Sequence, residues 1–412
     1  MYVSLRDRPG DARAAAGGRV ATTVLLLGVV SLLTDISSES VSAVLPLYLT
    51  AEVGLGFVAY GFIDGLYQGV SAVVRIAGGY AGDRGGRPKW IATIGYGVSA
   101  LSRIALLPAQ GFAAITGVIV ADRLGKGLRT APRDALIAGA SDPSMLGRAF
   151  GVHRMLDTVG AAAGPLVAFA LLAAVPGSYD SVFVVSFAFA AVGVAVLVLF
   201  VPDRRTRGGG KALSARRLGA ALAGPRLRRP LVTAGLLGLL TVGDGFLYLS
   251  LQRRDHLAAQ LFPLLYVGTN IAYLTLAVPM GRLADRIGRA KVFVAGHVAL
   301  LAVYLTAGGP LTGTVATVAT LLLLGTFYAA TDGVLAALVS RLVPPEARGS
   351  GIAAAQTVVA VARFASSIAF GALWVVAGRG PALLVMAALL AAGIPVAAWL
   401  LRPIRPAAEV SP

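Results

Sequence analysis

The sequence predicts an all-α membrane protein of twelve transmembrane helices, arranged as two pseudo-symmetric six-helix bundles. Three observations carry the prediction. Hydrophobic residues make up 57% of the 412-residue chain and charged residues only 13%, a balance far from that of a soluble domain this long. Twelve apolar runs follow one another, each near the roughly 20 residues that span a bilayer core as a helix. A charged turn also occurs twice. Gly79, Asp83, Arg84, Gly86, Arg87 and Lys89 recur as Gly281, Asp285, Arg286, Gly288, Arg289 and Lys291, 202 positions later. Two copies about half a chain apart point to a duplicated bundle.

The apolar runs lie at 22–49, 57–81, 91–108, 112–136, 149–174, 182–201, 231–252, 261–281, 292–309, 312–340, 350–377 and 381–401. Each copy of the charged turn closes one run and opens the next, so each is a tight connection between two helices. The expected organisation is a first bundle over 1–202, a basic linker over 203–229 and a second bundle over 230–412. Arg148 and Gly151 recur as Arg348 and Gly351 at an offset of 200, which extends the duplication through the fourth and fifth helices of each half. Residues 1–19 are polar and the first apolar run is too long for a signal peptide.

The net charge of +17 raises the question of nucleic acid, but its placement argues otherwise. With the N-terminus inside, Arg6, Arg8, Arg13, Arg19, both charged turns and the stretch from Arg204 to Arg229 all face the cytoplasm. The outer loops hold little beyond Arg253, Arg254 and Arg379. This bias places both termini in the cytoplasm, with anionic lipid headgroups as partners and no nucleic acid. The absence of cysteine excludes disulfides and thiolate metal sites. Arginine far outnumbers lysine, a bias expected of a GC-rich bacterium, so the expected address is the bacterial plasma membrane.

The pattern G-x-x-x-D-R-x-G-R-x-K between the second and third helices resembles the signature loop of the major facilitator superfamily. The resemblance covers nearly the whole chain. It implies two six-helix halves that rock around a central site, with the loop carboxylate latching the cytoplasmic side. Gly79, Asp83, Arg84, Arg87, Asp285, Arg286 and Arg289 are then gating residues, with Arg133 a partner for Asp83. In the fifth helix Gly160, Gly164 and Pro165 resemble the G-x-x-x-G-P motif of the antiporter branch, which implies efflux. The glycine pair that ends that motif is replaced here by Ala168 and Phe169. Arg123 and Gly127 match the R-x-x-x-G core of the fourth-helix motif, with Lys126 where a glutamine usually stands.

Charged residues inside the apolar runs are the remaining candidates, because an ionised side chain at the bilayer centre is costly unless it faces protein or water. Asp35 and Glu39 are four apart and share one face of the first helix. Asp244 in the seventh helix reads as an apparent counterpart of Asp35. In the fourth helix Asp122, Lys126, Arg129 and Arg133 form a stripe at i, i+4, i+7 and i+11. Arg123, Lys126 and Arg129 suit an anionic or zwitterionic substrate, since a guanidinium pairs carboxylate or phosphate through two parallel bonds. Gln68 falls on Asn270 at the 202-residue offset. With Asp244 and Arg363 these two complete the candidate substrate contacts. His153 and Asp157 at i and i+4 suit a proton relay, a metal pair or simply a His–Asp hydrogen bond, and with Asp35 and Glu39 make up the candidate proton-coupling set. Arg103 lies near the outer end of the third helix, where its side chain is expected to reach water.

These features favour a secondary active transporter acting as a monomer: proton-coupled efflux of a small anionic or zwitterionic compound or drug by alternating access. A metal-ion exporter, an importer of a small organic anion and a transporter-like sensor are the alternatives. No P-loop, G-x-G-x-x-G or Ser–His–Asp arrangement supports an enzyme, and no cofactor or resident metal is expected.

Overall fold

The computed structural model describes residues 20–67, 69–70, 87–203, 225–342 and 348–402. Its helices are α1 (Thr22–Leu47), α2 (helical over 57–67 and 69–70), α3 (Pro88–Ala105), α4 (Gly111–Ala140), α5 (Leu146–Ala174) and α6 (Tyr179–Phe200) in the first half. The second half holds α7 in two pieces (α7a, Pro225–Leu239; α7b, Asp244–Arg254), α8 (Phe262–Ile287), α9 (Arg289–Gly308), α10 (Thr314–Ser340), α11 (Arg348–Ala377) and α12 (Arg379–Leu400). Among the described residues nine helical spans are long and apolar enough to cross a membrane. The other three are α2, α3 and α4; in α4 the charged stripe offsets the apolar residues. The chain is an all-α membrane protein of twelve helices. Its outward side chains fit that solvent: Val376 is 86% exposed and Val315 85%.

The chain divides into two compact units, Met1–Lys211 with Leu251–Val267, and Ala212–Ser250 with Gly268–Pro412. In the first, α1 packs on α5 and α6, and α3 packs on α4 and α6. In the second, α9 packs on α10 and α12, and α7a packs on α11 and α12. Lipid tails are as apolar as leucine, so close packing rather than water exclusion holds such helices together. The glycines show how close. A Cβ on Gly160 would stand 2.4 Å from the Leu32 carbonyl oxygen, and one on Gly164 would stand 2.9 Å from that of Ile36. Ser40 Oγ donates to the Gly164 carbonyl at 2.8 Å across the same seam. Gly95 on α3 and Gly125 on α4 meet in the same way, and Gly296, 201 positions after Gly95, seats α9 on Phe327 and Ala330 of α10.

Two local features differ from the expected runs. The seventh span begins at Pro225, six residues before position 231, because proline is well suited to the first turn of a helix. That span is also interrupted at 240–243, between α7a and α7b. Tyr304 of α9 supports the break: its hydroxyl donates to the Leu240 carbonyl at 2.8 Å and accepts from the Val242 amide at 2.8 Å. The second copy of the charged turn is a single residue long. Gly288, at φ 105°, joins α8 to α9, a conformation that favours glycine and accounts for its place in the motif.

Candidate functional site

The first unit concentrates its charge on α4. The stripe expected there faces protein: Asp122 and Arg129 are buried, Lys126 and Arg133 half-buried, while Leu124 on another face is 44% exposed. Helical spacing accounts for this, since residues at i, i+4, i+7 and i+11 stay on one side and the Gly95–Gly125 contact turns that side inward.

Asp122 anchors one end. Its carboxylate pairs with Arg103 Nη1 at 2.9 Å and accepts from Arg123 Nε at 2.9 Å, with a second bond from Arg123 Nη2. Arg103 also donates to Ser37 Oγ at 3.4 Å and Ser38 Oγ at 3.1 Å, tying α3 to α1. It is 2% exposed, which corrects the expectation that it reaches water. A buried carboxylate partner outweighs the short path to the interface. Arg123 lies over the Tyr67 ring, 3.6 Å from its centroid, in a cation–π contact with α2.

The other end gathers carboxylates. Asp35 of α1 stands 3.8 Å from Arg129 Nη2, with Asp157 of α5 as its acidic neighbour. Asp157 also lies 3.8 Å from Arg133 Nη1 and 3.5 Å from Arg154 Nη1. Arg133 donates to Asp134 at 2.9 Å and to Ser31 Oγ at 3.4 Å. Among the described residues these contacts are lateral, within α1, α4 and α5. His153 is buried with Nε2 3.4 Å from Ser31 Oγ, and its Nδ1 meets no partner among the described residues. The spacing of His153 and Asp157 suggested a bonded pair. Instead the histidine turns to Ser31 of α1, and Asp157 turns to Arg133 and Arg154.

Two cationic groups are left with unmatched donors. Arg129 rests on the Tyr96 ring at 4.5 Å, and its Nη1 is buried with no hydrogen-bond partner among the described residues. Lys126 is half-buried, and its ammonium makes no ion pair or hydrogen bond among the described residues, with Asp35 and Glu39 as its acidic neighbours. Glu39 is half-buried beside Gly164, whose absent Cβ leaves it room.

In the second unit Asp244 opens α7b at the helix break, where the free amides of a helix start favour a carboxylate. Tyr328 of α10 donates to Asp244 Oδ1. Arg363 of α11 lies 5.8 Å from the centroid of the Tyr328 ring and 6.0 Å from that of Phe327. Its Nε is buried with no partner among the described residues. The structure thus brings Asp244 and Arg363 to one cluster, with Tyr328 between them. Asn270 is half-buried on α8 and stands in no such contact. His297 Nδ1 donates to the Phe293 carbonyl at 2.9 Å, and its ring meets those of Phe293 and Phe327 edge-on. Asp244 lies 202 positions after Ser42, so it is not the repeat counterpart of Asp35.

Of the expected site residues, Gln68, Gly79, Asp83 and Arg84 lie outside the described residues. Arg87 precedes α3 and is exposed. Arg289 donates to Asp285 at 2.9 Å and to the Ala337 carbonyl at 2.7 Å, which clips the α8–α9 turn onto α10. Arg286 is exposed. Tyr67, Tyr96, Tyr304 and Tyr328 were not among the candidate residues, although each touches a charge or a helix break. Their only sequence signal was the presence of tyrosine, which usually means core packing. Among the described residues no group of three or more His, Cys, Asp or Glu is placed to hold a metal ion.

The model of the Major Facilitator Superfamily matches residues 27–269 and 246–412. The chain belongs to this superfamily. It is 29% identical over 367 residues to an uncharacterised MFS-type transporter of Methanocaldococcus jannaschii, covering 86% of this chain and 89% of that one. It is 28% identical over 291 residues to an uncharacterised protein of Mycobacterium tuberculosis, covering 68% and 69%. Among solved structures it resembles the nucleoside transporter NupG at a TM-score of 0.76 and 15% identity, over 93% of this chain and 100% of that one. A POT family transporter in complex with 5-aminolevulinic acid follows at 0.75 and 14%, over 91% and 95%. The human organic anion transporter MFSD10 follows at 0.62 and 16%, over 91% and 98%. At these identities the solved structures establish the superfamily's fold. The chain is a secondary transporter, a carrier and not an enzyme.

Proposed function

We propose that this transporter moves a small anionic or zwitterionic compound out of the cell in exchange for protons. The observation that carries the reading is the juxtaposition of unmatched cationic donors with a carboxyl pair. Lys126 and the buried Nη1 of Arg129 offer charge-assisted hydrogen bonds that no described residue accepts, and buried donors are rarely left so. Asp35, within 3.8 Å of Arg129 and beside Asp157, is the group through which a proton would answer the substrate.

In this mechanism Arg129 and Lys126 hold the anionic end of the substrate, while ionised Asp35 attracts its cationic or hydrogen-bond-donating end. A proton on Asp35 removes that attraction. Proton and substrate thereby occupy the site by turns, as exchange requires. Glu39, one helical turn from Asp35, contacts the ammonium end of a zwitterion. Asp244, Tyr328 and Arg363 form the second unit's polar surface. The charged turns gate the cycle, and the glycines at Gly160 and Gly164, with Pro165, provide the close seam on which α5 moves against α1. The positive-inside bias favours cytoplasmic termini in a bacterial plasma membrane, and the fold needs no second copy.

The experiment is a screen in proteoliposomes with labelled organic anions, zwitterions, drugs and divalent metals, with and without an imposed pH gradient. Gradient-dependent movement of an anion or zwitterion supports the reading. Gradient-dependent movement confined to metal ions overturns it.

A further inference from the structure

A cavity of about 470 Å³ lies at the end of the first unit opposite the charged turn, away from Asp35 and the α4 stripe. Three segments build it: the end of α1, the α3–α4 connection and the α5–α6 connection. The volume is in the range of small-molecule sites. The end of α1 is a π-helical turn, Tyr48–Glu52, and such turns often mark functional positions. Gly111 at φ 72° and Gly177 at φ 77° let the two connections turn tightly at its rim.

The lining is acidic and aromatic. Glu52 and Asp180 are exposed to the cavity, and among the described residues no lysine, arginine or histidine lines it. Tyr48 and Tyr179 are 8% and 6% exposed, with ring centroids 5.7 Å apart. Phe183 holds Tyr48 from behind in an edge contact at 5.0 Å. Neither tyrosine hydroxyl has a hydrogen-bond partner among the described residues, although both side chains are more than nine-tenths buried and line the cavity. Neither hydroxyl is among the unpartnered polar atoms sealed from solvent, so each opens to the cavity and is available to a ligand there.

We propose that this cavity binds a small organic ammonium ion. Aromatic faces attract a cation through their quadrupole, the hydroxyl oxygens accept from N–H groups, and two carboxylates set the sign of the charge. Two carboxylates are few for a bare divalent metal, which takes six or more oxygens, so an ammonium with an apolar body fits better. In the orientation proposed above the cavity opens outside the cell. The site is separate from the transport site and does not depend on that reading.

The test is isothermal titration of the full-length protein in phosphatidylcholine nanodiscs with phenethylammonium chloride. Phenylacetate and magnesium chloride serve as controls. Saturable binding of phenethylammonium alone is expected. The double substitution Glu52→Gln/Asp180→Asn should raise Kd about tenfold, as loss of two partly solvated charges implies. Tyr48→Phe should weaken binding severalfold while leaving the tilted ring contacts with Tyr179 and Phe183 in place. Asp35→Asn should leave Kd unchanged even if it stops transport. The proposal is overturned if phenylacetate or magnesium binds equally well. It is overturned equally if Glu52→Gln/Asp180→Asn binds as wild type does, or if Asp35→Asn abolishes binding.

Discussion

Asp35 and Arg129 stand 3.8 Å apart, a carboxylate oxygen of α1 facing a guanidinium nitrogen of α4. The pair is loose for a salt bridge, and each member has a second neighbour that competes for it. Asp157 is the acidic neighbour of Asp35, and Tyr96 lies under Arg129. A contact with competing partners on both sides can change hands, which a transport cycle requires and a structural clamp does not.

The clamp is one end away, at Asp122. With Arg103 and Asp122 side chains 3% and 5% exposed, breaking the pair leaves buried charge uncompensated. Asp122→Asn should destabilise the protein by about 3–5 kcal/mol. The double substitution Arg103→Met/Asp122→Leu should recover part of that loss. Thermal unfolding in detergent, followed by size-exclusion fluorescence, measures both. Equal melting of wild type and Asp122→Asn would remove Asp122 from the structural role.

The seam between α1 and α5 predicts a contrast between glycines. Gly160→Leu drives a side chain into the Leu32 backbone and should abolish the folded monodisperse protein. Gly160→Ala should cost about 1–3 kcal/mol by overpacking. Gly151→Ala, where a Cβ meets nothing within 4 Å, should be neutral. Yield and melting temperature of the three variants decide it.

Tyr304 closes the break in the seventh span with two hydrogen bonds. Tyr304→Phe strips the Leu240 carbonyl and Val242 amide of their partner and should cost about 1–3 kcal/mol. Hydrogen exchange at 240–243 should rise in that variant and remain as in wild type in Tyr248→Phe, which loses a bond to Thr269 instead.

Lys126 should be reachable from water. The chain has no cysteine, so Lys126→Cys is a single reporter. It should react with a charged, water-soluble methanethiosulfonate, whereas Leu124→Cys on the lipid-facing side should not. Equal inertness of both would make Lys126 a buried structural group.

Periodicity and duplication carried most of the fold in advance. The apolar runs, the paired charged turns and the inward stripe on α4 all follow from spacing alone, because helices in lipid must satisfy their backbone internally and turn charge away from the tails. The break at 240–243 was not legible, since Leu240, Thr241, Val242 and Gly243 sit inside an apolar run and their supporting partner, Tyr304, lies two helices further along the chain. The candidate site was half legible. Each charge was visible, but not its partner: Asp122 chose Arg103 from α3, Asp157 chose Arg133 from α4 rather than His153, and Asp244 chose Tyr328. Such pairings depend on which helix faces meet, information that no single helix contains.

The most direct test of the account is uphill transport by Asp35→Asn. In proteoliposomes with an imposed pH gradient, wild type should concentrate at least one labelled organic anion or zwitterion. Asp35→Asn should fail to do so while still exchanging labelled for unlabelled substrate when no gradient is present. Gradient-driven accumulation by Asp35→Asn at the wild-type level would contradict the account.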